Sequence, residues 1–164
     1  MTNTLTHPQI SRPTAGLAAI ARSYADAPSS WPFAPRFALD RRWYARLAVD
    51  PTHEAWLLTW LPGQATDLHD HGGSAGAFTV VSGALTEQIV RVDQPRPVVP
   101  QTITLPAGAA RAFGARHVHR IVNAGTDPAI SVHVYAPALR EMTRYRIDDG
   151  VLSVGVVEKA GVDW

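Results

Sequence analysis

Thr143-Arg144-Tyr145-Arg146-Ile147-Asp148-Asp149-Gly150-Val151-Leu152-Ser153-Val154-Gly155-Val156-Val157 decides the fold class. Two strand-length runs, 143–147 and 151–157, flank an Asp-Gly pair. Their β-branched and aromatic residues suit a pleated surface. Asp-Gly tolerates the positive φ angles of a two-residue turn, so the stretch reads as a hairpin. Working back along the chain, the segments 56–60, 77–81, 85–92, 102–105 and 130–135 are equally short and apolar, and Gly, Pro or Asp separates them. Gly83 and Gly108 sit at further bends. Many short strands with frequent turn signals predict an all-β sandwich or barrel.

The beginning of the chain differs. Residues 1–13 read as a loose leader interrupted by Pro8 and Pro13. Thr14 is a candidate N-cap for a helix running to about residue 27. Leu17, Ile20, Ala21 and Tyr24 recur at helical spacing and predict one face laid on the body. Pro28, Pro32 and Pro35 end that pattern, and Trp31-Pro32-Phe33 reads as a packed loop. The expected organisation is a leader and helix over 1–42 packing on a β-barrel over 43–164, as one structural domain.

Composition narrows the function classes. The chain has 164 residues, 46% hydrophobic and 18% charged, with a net charge of +1. The basic residues are spread out, so nucleic acid is not an expected partner. No apolar run approaches the roughly 20 residues of a membrane helix. The first residues lack the basic start and apolar centre of a secretion signal, which predicts a cytoplasmic protein. No long exposed apolar stripe is evident, and a monomer is expected. There is no cysteine, so any metal must be held by nitrogen and oxygen.

Five of the seven histidines fall between positions 69 and 133. His69-Asp70-His71 places two imidazoles at i and i+2, which point to one side of a strand. Two imidazoles so placed can share one ion. His117 and His119 offer a third ligand, and they too share a face if that segment is extended. In the segment 130–135, Ser131, His133 and Tyr135 alternate with Ile130, Val132 and Val134. The polar face could meet solvent or line a pocket inside a small barrel.

The surroundings of these histidines resemble a known superfamily. Gly63-Gln-Ala-Thr-Asp-Leu-His69-Asp-His71 … Gly83 resembles the first cupin motif, and Pro106-Ala-Gly108 … His119-Arg-Ile-Val-Asn123 resembles the second. The cupin acidic ligand would stand at position 76, where this chain has Gly76. Within the cupins the cysteine dioxygenases are similar over roughly residues 40–140. The pieces that carry the likeness are Tyr44-Ala-Arg46, Trp60 nine residues before His69, His69-Asp-His71, His119-Arg-Ile-Val-Asn123, and Ser131-Val-His133-Val-Tyr135-Ala-Pro137. Mammalian members carry at the place of Gly76 a cysteine cross-linked to the tyrosine matching Tyr135. Here Tyr135 is expected to be an unmodified phenol, as in bacterial members with glycine there.

The resemblance implies a small jelly-roll-like barrel and an Fe(II) cofactor held by His69, His71 and His119, with His119 preferred over His117 because Asn123 follows at the motif's spacing. Three neutral imidazoles leave the metal's charge undiminished, which suits an anionic thiolate. The implied reaction oxidises a small-molecule thiol, L-cysteine first, with O2 to the sulfinate, the oxidation state of a sulfinic acid. Arg46 is the implied carboxylate partner, since its planar fork suits a bidentate pair. A surface arginine is the plain alternative for Arg46. Tyr135 and Tyr44 are expected at the substrate, with Tyr135, Arg46 and His133 as the residues of the reaction. Ser131, His133 and Trp60 are expected to support them, Ser131 and His133 by fixing the phenol through hydrogen bonds. The competing readings are a dioxygenase of 3-mercaptopropionate or cysteamine, and a non-catalytic cupin that binds a metal or small ligand.

Overall fold

The structure, a computed structural model, describes residues 14–93 and 96–160. The leader over 1–13, with His7, lies outside the described residues. Helix α1 spans Thr14–Ala25. It stops two residues earlier than expected because a residue before proline avoids the helical region, and Ala27, ahead of Pro28, has φ −122° and ψ 54°. A single 3-10 turn, Pro28–Ser30, follows. Trp31 then closes back on the helix, its Nε1 donating to the Tyr24 carbonyl at 2.9 Å.

Among the described residues eleven strands follow: β1 Trp43–Val49, β2 Glu54–Trp60, β3 Leu68–His69, β4 Ala75–Ser82, β5 Ala84–Val90, β6 Gln101–Pro106, β7 Ala110–Phe113, β8 Val118–Val122, β9 Ala129–Ala136, β10 Glu141–Asp148 and β11 Val151–Lys159. They form two antiparallel sheets, one in the order β1-β2-β9-β4-β7 and the other β11-β10-β3-β8-β5-β6. This is a jelly-roll barrel with an N-terminal helix. The hairpin at 149–150 is formed as the sequence predicts: Asp148 pairs with Val151, and the two turn residues have φ 51° and 72°.

The sheets enclose one core, in which Leu58, Trp60, Phe78, Val80, Leu85 and Ile121 meet. A second core lies where α1 covers the five-stranded sheet, with Leu17 and Ala21 against Leu57, Ala77, Val132 and Val134. Strands β2, β4 and β9 are therefore buried on both faces, which explains their nearly continuous apolar sequences. On β9 the helix takes the face bearing Val132 and Val134. The opposite face, with Ser131, His133 and Tyr135, is turned into the barrel, and all three are buried. No helix among the described residues is long and apolar enough to cross a membrane.

Candidate metal centre

His69 ends the two-residue strand β3, and its Cα partner across the ladder is His119 on β8. His71 follows in the turn after β3. The three imidazoles form a nearly equilateral triangle: ring centroids are 4.9 Å apart for His69–His71, 4.9 Å for His69–His119 and 5.0 Å for His71–His119. One ligand atom from each lies within 4.8 Å of the others. All three side chains are buried. Burial pushes the pKa of each below the usual imidazole value, with the neighbouring imidazoles adding to the shift for His69 and His71. Three neutral rings thus face one another at neutral pH.

Two of the rings are oriented through Nδ1. His69 Nδ1 lies 2.8 Å from the Asp67 carbonyl, and His119 Nδ1 lies 2.7 Å from Glu87 Oε1. A neutral ring that donates from Nδ1 presents Nε2 as its acceptor. Both nitrogens of His71 are buried without a hydrogen-bond partner among the described residues. A buried polar atom left unpaired is costly. A divalent ion at the centre of the triangle removes that cost, so the donor set fits a metal.

Glu87 escaped the sequence reading. It is fully buried, and its second oxygen accepts from Arg111 Nε at 3.0 Å while Oε1 also meets His117 Nε2 at 2.8 Å. Burial pushes its carboxyl up, but the hydrogen bonds from His117 and His119 outweigh that and hold it at about 2. His117 is thus engaged by Glu87 and lies outside the cluster of His69, His71 and His119. A signal existed: Leu85, Glu87 and Ile89 alternate on one face of β5, and a carboxylate in an inward apolar row needs partners.

A pocket opens on His69 and His119 and is lined by Arg42, Leu58, His133 and Tyr135. Along β9 a hydrogen-bonded chain leads to it. Trp60 Nε1 donates to Ser131 Oγ at 2.9 Å, Ser131 Oγ lies 2.9 Å from His133 Nε2, and His133 Nδ1 lies 3.4 Å from Tyr135 Oη. Trp60 can only donate, so Ser131 Oγ accepts that bond and keeps its own proton free for His133 Nε2, an arrangement that would leave Nδ1–H directed at Tyr135. Burial, the larger effect, and the neighbouring His119 and Arg42 depress His133 to about 3, which keeps it neutral. Burial raises the Tyr135 phenol well above its ordinary value, so it stays protonated.

The pocket lining includes Arg42, whereas Arg46, the arginine expected at the substrate, is not part of it. Arg46 is exposed, with its guanidinium 5.7 Å from the Trp56 ring centroid. Strand register is the reason. Arg42, Tyr44 and Arg46 alternate on one side, but Tyr44 is paired with Leu58, a pocket residue, whereas Arg46 is paired with Trp56, one step toward the hairpin and beside a bulge. Tyr44 packs edge-on to Trp56 at 6.1 Å and is not among the residues lining the pocket. Arg42 lies 5.0 Å over the Trp60 ring and forms no ion pair among the described residues. Arg144, also at the pocket, is held by Asp67 and by Glu158 at 2.6 Å.

Comparison with known proteins agrees with this geometry. A family model described as cysteine dioxygenase type I matches residues 13–148. Among solved structures, TT1209 from Thermus thermophilus aligns with a TM-score of 0.55 at 22% identity, over 63% of this chain and 90% of its own. A conserved protein with a double-stranded β-helix domain from Klebsiella pneumoniae aligns at 0.50 and 21%, over 74% and 90%. KdgF from a Halomonas species aligns at 0.51 and 17%, over 62% and 84%. At these identities the likeness is one of fold, that of the cupin barrel.

Proposed function

The chain belongs to the cysteine dioxygenase type I family, and from that premise we propose that it is an iron-dependent thiol dioxygenase converting L-cysteine and O2 to cysteine sulfinic acid. The observation that carries this reading is the meeting of a triangle of neutral imidazoles with an arginine that has no carboxylate partner among the described residues. His69, His71 and His119 would hold Fe(II). Bound iron supplies the redox and spin partnership that lets O2 react with a thiolate. The balance is simple: the thiol gains both atoms of O2, and its sulfur becomes a sulfinic acid.

The remaining chemistry belongs to the side chains. Arg42 meets the substrate carboxylate, and its partly desolvated charge strengthens that hydrogen-bonded pair. The Trp60 ring beneath it offsets part of the cost of holding a cation there. Tyr135, kept protonated by burial and held by His133 Nδ1–H, directs its own proton to an acceptor in the pocket. Ser131 and Trp60 fix the tautomer that makes this possible. Leu58 and Met142 line the pocket with apolar surface and exclude water from the reacting sulfur. A barrel that merely stores a metal needs neither Arg42 nor Tyr135 in its pocket. 3-Mercaptopropionate is the second reading, because Arg42 pairs with its carboxylate equally well.

The test is oxygen uptake by iron-loaded protein with L-cysteine, with the sulfinate quantified alongside. Equal amounts of oxygen consumed and sulfinate formed are expected. Uptake no greater than that of a His119→Ala control would sink the proposal.

A further inference from the structure

The Asp67 carbonyl orients His69, and Glu87 orients His119, but neither nitrogen of His71 has such a partner among the described residues. His71 is held instead by rings. Phe113 stacks on it with centroids 4.8 Å apart and planes 23° from parallel, and Tyr135 stands 5.1 Å away, tilted by 34°. Phe113 closes strand β7, where its Cα partner is Gly76. On its other side Gly76 is paired with Tyr135. The Phe113 ring leans over the glycine so closely that a Cβ at position 76 would lie 2.6 Å from Cζ and 2.7 Å from Cε2, with the Val134 carbonyl oxygen at 2.9 Å. Nothing larger than hydrogen fits at position 76 while that ring is in place.

We propose that Phe113 is the positioning residue for His71 and, by filling the space over Gly76, restricts the protein's metal ligands to three neutral imidazoles. The inference rests on the metal site proposed above. A flat apolar ring fixes the plane of His71 without competing for its nitrogens. A Glu or Asp at position 76 would stand opposite Tyr135 and bring a negative charge to the centre. That charge would oppose the thiolate the site is built to accept. Phe113 thus does for His71 what hydrogen bonds do for the other two ligands, and it also sets the charge of the site.

The test titrates cobalt(II) into the metal-free protein, native and Phe113→Leu, and reads the dissociation constant and the visible spectrum of the bound ion. Leucine keeps apolar bulk and removes the flat face. Loss of an outer contact to a metal ligand costs about 10–100-fold in affinity, so Phe113→Leu is expected to bind at least about tenfold more weakly, with shifted bands. A folded Phe113→Leu protein with native affinity and spectrum overturns the proposal. If that variant does not fold, zinc-loaded native protein decides. Nuclear Overhauser contacts between the Phe113 and His71 ring protons support the proposal, and their absence overturns it.

The excluded volume has its own arm. Gly76→Ala should lower the melting temperature of the native chain, and by less in a Phe113→Ala background, where the Val134 carbonyl oxygen still crowds the added Cβ but the ring does not. Equal losses in both backgrounds overturn that part. A native chain that takes up no cobalt overturns the metal site itself, an outcome distinct from cobalt binding that ignores position 113.

Discussion

Glu87 holds His119 through a 2.7 Å hydrogen bond between Oε1 and Nδ1, and the same oxygen lies 2.8 Å from His117 Nε2. One buried carboxylate therefore separates the roles of two histidines two residues apart. His119 is fixed with Nε2 toward the triangle, and His117 is tied to the carboxylate. Replacing Glu87 with glutamine keeps the shape, weakens the charge-assisted bonds and gives Arg111 an amide in place of a carboxylate. Glu87→Gln is expected to weaken metal binding by about 10–100-fold, the usual cost of an altered ligand partner. Competition with a chromophoric chelator measures it, and unchanged affinity would reduce Glu87 to packing.

Arg42 and Arg46 make opposite predictions. A charge-assisted hydrogen bond is worth about 1.5–3 kcal/mol, so Arg42→Gln should raise the KM for L-cysteine by about 10–100-fold. Turnover of cysteamine, which has no carboxylate, should change far less. Arg46→Gln, at an exposed guanidinium over Trp56, should stay within about twofold for both thiols. Steady-state oxygen uptake with the two variants decides which arginine reads the carboxylate.

The contrast between these arginines shows what a sequence can and cannot reveal. Alternation puts Arg42, Tyr44 and Arg46 on one side of a strand, but only the register of the β1–β2 hairpin tells which end of the row meets the pocket. The hairpin at Asp149-Gly150 was legible because turn chemistry is local. The longer apolar strands were legible because burial on one or both faces imposes a pattern. Strands β3 and β7, of two and four residues, are too short to carry one. His69 and His119 meet as a cross-strand pair far apart in sequence, yet the spacing motifs around each announced them. The stack of Phe113 on His71 had no such announcement, because it depends on β7 pairing with β4.

Leu57 tests the separation of the two cores. It is fully buried between α1 and the sheet, on the face of β2 opposite Leu58. Leu57→Ala should cost about 2–5 kcal/mol, as large-to-small core changes do, seen as a lower denaturation midpoint in urea. Metal affinity, measured where the variant is fully folded, should stay within about twofold. A drop in affinity comparable to that of Glu87→Gln would mean that the helix-side core also shapes the site.

His133 sets a pH dependence whose sign can be worked out. Burial, the largest cause, together with the neighbouring His119 and Arg42, depresses it from the ordinary value of 6.5 to about 3. Between those two values the unfolded chain binds a proton at this residue and the native chain does not, so stability rises with pH across that window. Each pH unit below 6.5 removes at most about 1.4 kcal/mol on this account. Following this residue requires metal-free protein, and because His133 also lowers the values of His69 and His71, the difference between native chain and variant carries part of their response as well. Taken from about pH 7.5 to about pH 5, the native chain should lose up to about 2 kcal/mol more than His133→Gln. Urea midpoints at the two pH values give the difference. Equal losses would show that His133 carries its proton in the folded state; both ring nitrogens would then donate, reversing the Ser131–His133 hydrogen bond and leaving the one to Tyr135 as it is.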